Sequence, residues 1–594
     1  MTTQTKKYFF FVVITSFMKY LLVSDTYTEL EKTTKRLELV EILSHLFQNT
    51  PSDLIDKVIY LTQGKLAPDF AGIELGINTK LAIKAVSSAS SMSELEIENT
   101  FNETGDIGES TKIAIEKKSQ TSLYPNPLTL ERVFDTFYKI ANVSGKGSLD
   151  IKIKHIISLL NDSTPIEAKY IIRTITGNLR LGVADYTVLD GLSLAFTGSK
   201  TNRPIIERAY NISSDLGLVA KILSKENLDV LKSFQITVGK PIRPMLAERL
   251  SSPSEITKKI GGKFAAEFKL DGERLQIHIN DSSGSIFSRK LENITDHYKD
   301  VIESCNSNLK FNSLIIEGEA VAVDNDGKYL PFQELMHRRR KHDIDIAIKK
   351  YPVIVNLFDL LYLDGKDFTG LAYSERRKKL NSIISNNDNI QIVDQIEGNT
   401  SKEIQSFMDK SLNAGMEGLV VKDLKGIYRA GAREFLWIKL KKEYMDNVSD
   451  TLDLVVVGAL YGKGRRTGIY GALLLASYDK ENDQFCTFCK VGTGFKDADL
   501  ESIHSRLSKL VINQKDDRVF SKIDMDVWFI PDLVLEISGS EITLSPIHTV
   551  NLDLVKKDVG LGLRFPIFTG NIRDDKNPED ITDVNEIFNM FNSQ

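Results

Sequence analysis

Lys269 sits in Glu267-Phe-Lys-Leu-Asp-Gly-Glu-Arg274, a stretch whose charges would suit a nucleotide phosphate. An amine attacks only when unprotonated, and its pKa falls when it is partly desolvated or set beside other cations such as Arg274. The chemistry this suggests is a phosphoramidate bond to the lysine nitrogen. Gly272 would permit a backbone turn that a side chain obstructs, so that Asp271 and Arg274 could both face a substrate held against Lys269. Taken alone, the stretch reads equally well as a strand ending in an Asp-Gly turn with solvated charges.

The rest of the chain supplies further pieces in order: Phe287-Ser-Arg-Lys290, Ile316-Glu-Gly-Glu-Ala320, Val355-Asn-Leu-Phe-Asp359, Glu417-Gly-Leu-Val-Val-Lys422, Trp437-Ile-Lys-Leu-Lys441, Arg564-Phe-Pro566 and Arg573-Asp-Asp-Lys576. This ordered set resembles the collinear motifs of the covalent nucleotidyltransferases, specifically the ATP-dependent DNA ligases of the archaeal and eukaryotic replicative type. Upstream, Ser144-Gly-Lys-Gly-Ser148, Ile172-Arg-Thr-Ile-Thr-Gly-Asn-Leu-Arg-Leu-Gly-Val183 and Pro241-Ile-Arg-Pro-Met-Leu-Ala-Glu248 resemble that family's helical DNA-binding domain, so the likeness covers nearly the whole chain.

The resemblance implies a nick-sealing enzyme of replication, repair and recombination that uses ATP and Mg²⁺ or Mn²⁺. Lys269 would be the nucleophile, with Glu267 as a purine contact and Phe358 as the aromatic stacked on adenine. Glu319 and Glu417 would hold the metal, a hard ion that takes one or two carboxylates and keeps water, with Glu319 also a candidate ribose contact. Arg274, Arg289, Lys422, Lys439 and Lys441 would neutralise phosphate charge. Arg573 and Lys576 would grip the departing pyrophosphate, which needs a hinge near Lys442 to Asp446. Lys146 and Ser148, ahead of a helical pattern, and Arg180 would seat DNA phosphates. Ile567 and Asn571 stand where relatives often carry basic residues, which thins the basic surface there.

Two other readings compete. RNA ligases and RNA-capping nucleotidyltransferases resemble the same lysine-centred domain, but neither family usually carries the long helical region upstream. A catalytically silent DNA-binding scaffold is opposed by intact Lys269, Glu319 and Glu417.

At 594 residues the chain is too long for one ordinary core. Its 42% hydrophobic and 26% charged residues are those of a globular protein. A net charge of -5 leaves DNA contact to local basic clusters, namely Arg338-Arg-Arg-Lys341, Lys439 to Lys442 and Lys463-Gly-Arg-Arg466. Cys305, Cys486 and Cys489 are the three cysteines, too few for a disulfide framework; Cys486-Thr-Phe-Cys489 has no second Cys/His pair of matching spacing to complete a four-ligand zinc site, and the missing four-cysteine module weighs against an NAD-dependent ligase. We expect a cytoplasmic, nucleoid-associated monomer with no membrane partner. A sliding clamp is a candidate partner through Glu131 to Tyr138 or Gln4 to Phe11, although each segment departs from a clamp-binding box.

The elements that must position these residues fall into three domains. Residues 1–17 have a basic start and a short apolar core but no small-residue cleavage site, and read as a non-native or disordered extension. Residues 18–235 are predicted helical. Leu39, Val40, Leu43, Leu46 and Phe47 form one apolar stripe, Thr164-Pro-Ile-Glu167 is a capping box with proline at the first helical position, and Ser91 to Gln120 is polar enough to contain a loop. Residues 236–443 alternate Val/Ile-rich runs with helical ones, predicting an α/β or α+β nucleotidyltransferase domain. Residues 444–594 are strand-rich with glycine punctuation, fitting a small β-barrel that the resemblance makes an OB-fold.

Overall fold

The computed structural model describes residues 18–118, 126–281, 283–324, 326–339, 343–384, 389–441, 451–462 and 464–593. The extension 1–17, with its Gln4 to Phe11 segment, and the 442–446 hinge lie outside them. The chain divides into one compact unit of residues up to 91 with 114–445, and a second of 92–113 with 446–594.

The first unit begins helical. Helix Arg36–Gln48 buries Leu39, Val40, Leu43, Leu46 and Phe47, the stripe predicted from spacing. Helix Pro165–Ile175 starts at the Thr164/Glu167 capping box, with both reciprocal hydrogen bonds present. Helix Leu130–Asn142 buries Val133, Phe134 and Phe137, while Tyr138, the second of the paired aromatics, is half-buried.

Two sheets follow. Strands β1 (Leu246–Arg249), β2 (Phe264–Lys269), β9 (Gln395–Gly398), β10 (Gly418–Asp423) and β11 (Arg433–Lys441) form one, in the order β1-β11-β10-β2-β9. The other joins β3 (Glu273–Asn280), β4 (Ser283–Ser288), β5 (Ser313–Ala322), β6 (Val353–Leu363), β7 (Lys366–Asp367) and β8 (Ile390–Ile392), in the order β4-β3-β5-β6-β7 with β8 beside β6. Pairing is antiparallel except β1 with β11 and β6 with β8, which makes the domain α+β in character. The incoming chain is pinned between the sheets: Gln276 on β3 accepts from the Ile242 N–H at 2.7 Å and donates to the Ile242 carbonyl at 2.9 Å.

Glycine at 272 has a different cause from the one expected. Its φ is not positive; instead, a Cβ there would lie 2.3 Å from the Ala320 carbonyl oxygen, so only glycine lets β5 approach this closely.

The second unit is built on β12 (Leu452–Tyr461), β13 (Tyr470–Asp479) and β14 (Gln484–Val491), centred in an eight-stranded, largely antiparallel sheet. Alternating Leu452, Leu454 and Val456 face one core, while Val455 and Val457 face another. This is the strand-rich, OB-fold domain expected. Within the Ser91 to Gln120 stretch, expected to contain a loop, the described residues form helices Glu94–Thr104 and Ile107–Glu116 joined at Gly105 and Asp106, and residues 119 and 120 lie outside those described. A Ser93/Glu96 capping box starts the first of them. It buries Ile97 alone, so its apolar periodicity is too sparse to read. No helix among the described residues is long and apolar enough to cross a membrane.

Candidate active site

Strand pairing brings the distant motifs together. In the first sheet Lys269 stands opposite Gly418, which stands opposite Lys441; one step along, Glu267, Val420 and Lys439 form the next row. Residues two apart on a strand share a face, so Glu267, Lys269, Lys439 and Lys441 all lie on one side of this sheet. At Gly418 the backbone has φ +144°, and a Cβ would lie 2.2 Å from the Leu440 carbonyl oxygen. Glycine here lets β10 begin tight against β11, and the Glu417 N–H donates to the Lys269 carbonyl at 3.0 Å.

A cavity of about 440 Å³ is lined by Lys269, Glu267, Arg274, Arg289, Glu319, Phe358 and Lys439. Glu417 and Lys441 join through ion pairs: Glu417 Oε2 lies 2.6 Å from Lys269 Nζ and 3.1 Å from Lys441 Nζ. Burial favours a neutral Lys269, but Glu417, Glu319 and Asp271 together outweigh it and hold its pKa above the ordinary lysine value. This corrects the expectation of a depressed pKa. Arg274 does not act on the amine: it donates to Glu317 at 2.8 Å and to the Met245 carbonyl at 2.8 Å, and lies over the rings of Phe358 and Trp437. Breaking such a buried pair costs about 3–5 kcal/mol. Arg274 therefore supports the cavity wall through Glu317 while also acting electrostatically on Glu319.

The two predicted metal ligands differ. Burial pushes the Glu319 carboxyl up to about 7 despite Lys269 and Arg274 nearby. It has no hydrogen-bond or ion-pair partner among the described residues. Burial would also raise Glu417, but Lys269 and Lys441 prevail and hold it below the usual carboxylate range. Both carboxylates act electrostatically on Lys269. Among the described residues no third Asp, Glu, His or Cys completes a metal cluster. Two carboxylates suit a hard divalent ion that takes its other ligands from phosphate and water, so the donor set fits the expected group.

Lys439 has no carboxylate at ion-pair distance among the described residues. Desolvation, with Arg433, Arg289, Lys269 and Lys441 nearby, lowers its pKa. Exposed Arg289 likewise has no acidic partner among the described residues. Uncompensated cations of this kind make an anion site.

At the other end of the cavity, the β5–β6 register shifts between Glu317 and Gly318, so that Phe358 is the extra residue of a bulge and is turned out of the ladder. Its ring meets Trp437 edge to face at 6.1 Å. Lys422 corrects the reading as a phosphate ligand: its buried ammonium lies 2.6 Å from Glu267 and 4.3 Å from the Trp437 ring, and desolvation lowers its pKa.

Other predicted residues lie apart. Lys146 is exposed in the loop before helix Ser148–Asp162, whose N-cap is Gly147 at φ +82°, and Ser148 is the first helical residue. Arg180 is half-buried in the left-handed region at φ +57°. In the second unit, Arg573 donates to Asp453 at 2.7 Å and to Asp575 at 2.8 Å, while Lys576 lies 2.6 Å from Asp453. Two basic clusters are structural where described. Arg338 is fully buried against the His297 and Tyr351 carbonyls, and Arg466 donates to the carbonyls of Gly471 and Gly492.

Sequence reasoning missed Asn356 and the helix Tyr373–Ile383. Asn356 is buried opposite Glu319 in the β5–β6 register; its Oδ1 accepts from Tyr329 while its Nδ2 has no hydrogen-bond partner among the described residues. The helix belongs to none of the motifs, and Arg376 and Arg377 carry no local signal of their buried partners.

Three family models match: "DNA ligase N terminus" over residues 19–193, "ATP dependent DNA ligase domain" over 244–441 and "ATP dependent DNA ligase C terminal region" over 466–576. A DNA ligase of Nitrosopumilus maritimus is 47% identical over 578 residues, covering 97% of this chain and 98% of the relative. One of Cenarchaeum symbiosum is 48% identical over 578 residues, with 97% and 98% covered. The solved structure named Pmar-Lig_Pre. shares the fold at a TM-score of 0.55 and 18% identity, over 93% of this chain and 99% of that one.

Proposed function

The chain belongs to the ATP-dependent DNA ligases, and from that premise we propose that it seals nicks in duplex DNA through an AMP carried on Lys269. The observation that carries this reading is Lys269 paired with Glu417 and under the charge of Glu319, at a cavity whose Lys439 and Arg289 have no acidic partner among the described residues and whose Phe358 is turned out of the ladder.

In the first step the neutral Lys269 amine attacks the α-phosphorus of ATP: the N–P bond forms, the bond to pyrophosphate breaks, and the amine proton is lost to solvent. Phe358 and Glu267 hold the base. Lys439, Lys441 and Arg289 balance the triphosphate charge, which is the dominant electrostatic contribution in phosphoryl transfer. A bound Mg²⁺ or Mn²⁺ at Glu319 and Glu417 would supply further positive charge to the phosphate oxygens. Arg573 and Lys576 receive the leaving pyrophosphate. A 5′-phosphate oxygen at the nick then displaces the Lys269 nitrogen from phosphorus. Finally the 3′-hydroxyl oxygen attacks the phosphorus of that 5′-phosphate, AMP departs and the hydroxyl proton is lost to solvent, leaving the phosphodiester. Lys146, Ser148 and Arg180 hold the duplex through its phosphates, reading shape and not sequence. The protein works as a cytoplasmic, nucleoid-associated monomer in replication, repair and recombination, with a sliding clamp as a candidate partner.

The test is incubation with ATP, a divalent metal and either a nicked DNA duplex or a nicked RNA duplex. Joining of DNA in preference to RNA supports the reading. Preference for RNA favours an RNA ligase, and duplex binding without an AMP adduct favours a silent scaffold.

A further inference from the structure

The helix Tyr373–Ile383 reaches both walls of the nucleobase end of the cavity. Tyr373 Oη donates to Glu267 Oε1, Arg377 Nη1 donates to the same oxygen at 3.2 Å, and Lys422 lies 2.6 Å from Glu267 Oε2. Arg377 Nη2 also donates to the carbonyl of Val393, a cavity-lining residue, at 2.6 Å. The preceding residue faces elsewhere. Arg376 Nε and Nη2 form a two-pronged pair with Asp359 at 2.7 and 2.9 Å, and Arg376 Nη1 donates to the Leu371 carbonyl at 2.7 Å. Asp359 directly follows Phe358 at the β-bulge.

Successive helical residues project about 100° apart. Arg376 and Arg377 therefore address different targets: Arg376 holds β6 of the six-stranded sheet, and Arg377 holds β2 of the five-stranded sheet. All four charged groups are buried. A planar guanidinium paired with two carboxylate oxygens fixes orientation as well as distance. Lys422 closes the circuit, donating to the Phe358 carbonyl at 3.3 Å while paired with Glu267.

We propose that this helix is the positioning element for nucleobase binding, with Tyr373 and Arg377 setting Glu267 and Arg376 setting Phe358. The proposal rests on the reading of Glu267 and Phe358 as base contacts. The base does not react, so groups that orient its walls stabilise ground and transition states alike, and their loss raises KM more than it lowers kcat.

The experiment measures enzyme–AMP formation against ATP concentration for the wild-type protein and for Glu267→Gln, Arg377→Met, Arg377→Lys and Tyr373→Phe. ITP, which replaces the 6-amino group by a carbonyl, serves as the competing nucleotide. Arg377→Met should raise KM for ATP about tenfold with kcat within about threefold, as expected for loss of its charge-assisted hydrogen bonds to Glu267 and to the Val393 carbonyl. It should also narrow the preference for ATP over ITP, and Arg377→Lys should restore part of both. Tyr373→Phe, which deletes one hydroxyl and is the variant least able to disturb folding, should move KM in the same direction by a few fold. If Glu267→Gln leaves KM and ATP preference unchanged, the underlying reading of Glu267 fails and takes the proposal with it. If Glu267→Gln shifts them but the folded Arg377 and Tyr373 variants do not, or lower kcat at unchanged KM, the positioning role is overturned while the reading of Glu267 stands.

Discussion

Lys269 Nζ and Glu417 Oε2 are 2.6 Å apart, so the nucleophile of the proposed reaction is held as an ammonium by a proposed metal ligand. An ammonium has no lone pair, so the arrangement describes a resting site. Occupation of the carboxylates by a cation would remove the charge that holds the proton. Competitive labelling with an amine reagent, in nucleotide-free and metal-free protein, should give Lys269 a pKa above that of an exposed lysine. Glu417→Gln should lower it. The raised Lys269 pKa contributes stability that is fully present below the unfolded value of about 10.4 and is lost as pH rises through the folded value. The depressed Glu417 pKa contributes stability present above about 4.3 and lost as pH falls through its folded value. Denaturant melts should therefore show the Glu417→Gln deficit at neutral pH and not at either extreme.

Glu417→Ala should slow nick joining by at least about a hundredfold even with excess divalent metal, because phosphate charge loses a hard-ion ligand. Single-turnover joining across a Mg²⁺ series checks this. Wild-type rates throughout would make Glu417 an ion-pair partner of Lys269 and Lys441 and not a metal ligand.

Replacing Arg573 and Lys576 by alanine should slow enzyme–AMP formation by about two to three orders of magnitude, since positioned cations on a leaving phosphate are a large electrostatic contribution. Joining of a nick that already carries 5′-adenylate should change little, because no pyrophosphate leaves in that step. Asp453 holds both cations, so Asp453→Asn should give a milder form of the same pattern. Equal loss in both assays from a folded double variant would assign these cations to DNA binding.

Lys146→Ala should weaken binding of nicked duplexes uniformly across sequences and reduce the salt slope by about 1, the signature of one lost phosphate contact. Fluorescence anisotropy over a salt series measures both. A change confined to particular sequences would contradict a phosphate role.

Much of the fold was legible because its signals are local. The Thr164/Glu167 capping box and the Leu39 to Phe47 stripe appear in the structure as read. Helix Glu94–Thr104 was not legible, since one buried isoleucine gives no period to detect. In the site, the motifs named residues that strand pairing brings to one cavity, but their ionic partners are long-range facts. Nothing near Arg274 in sequence shows that Glu317 takes its charge. Nothing near Lys422 shows that it lies beneath aromatic rings beside Glu267. Arg376 and Arg377 sit in a charged run that resembles a solvated helix face until β2 and β6 are folded against it.

The central claim is that Lys269 carries AMP. Incubation of the full chain with ATP radiolabelled at the α-phosphorus and a divalent metal, followed by denaturing gel and peptide mapping, tests it most directly. The account predicts one acid-labile, base-stable AMP on the peptide containing Lys269, released by pyrophosphate or by a nicked duplex, and absent from folded Lys269→Ala. A stable AMP adduct in that variant, or an adduct mapped to another lysine, would contradict it.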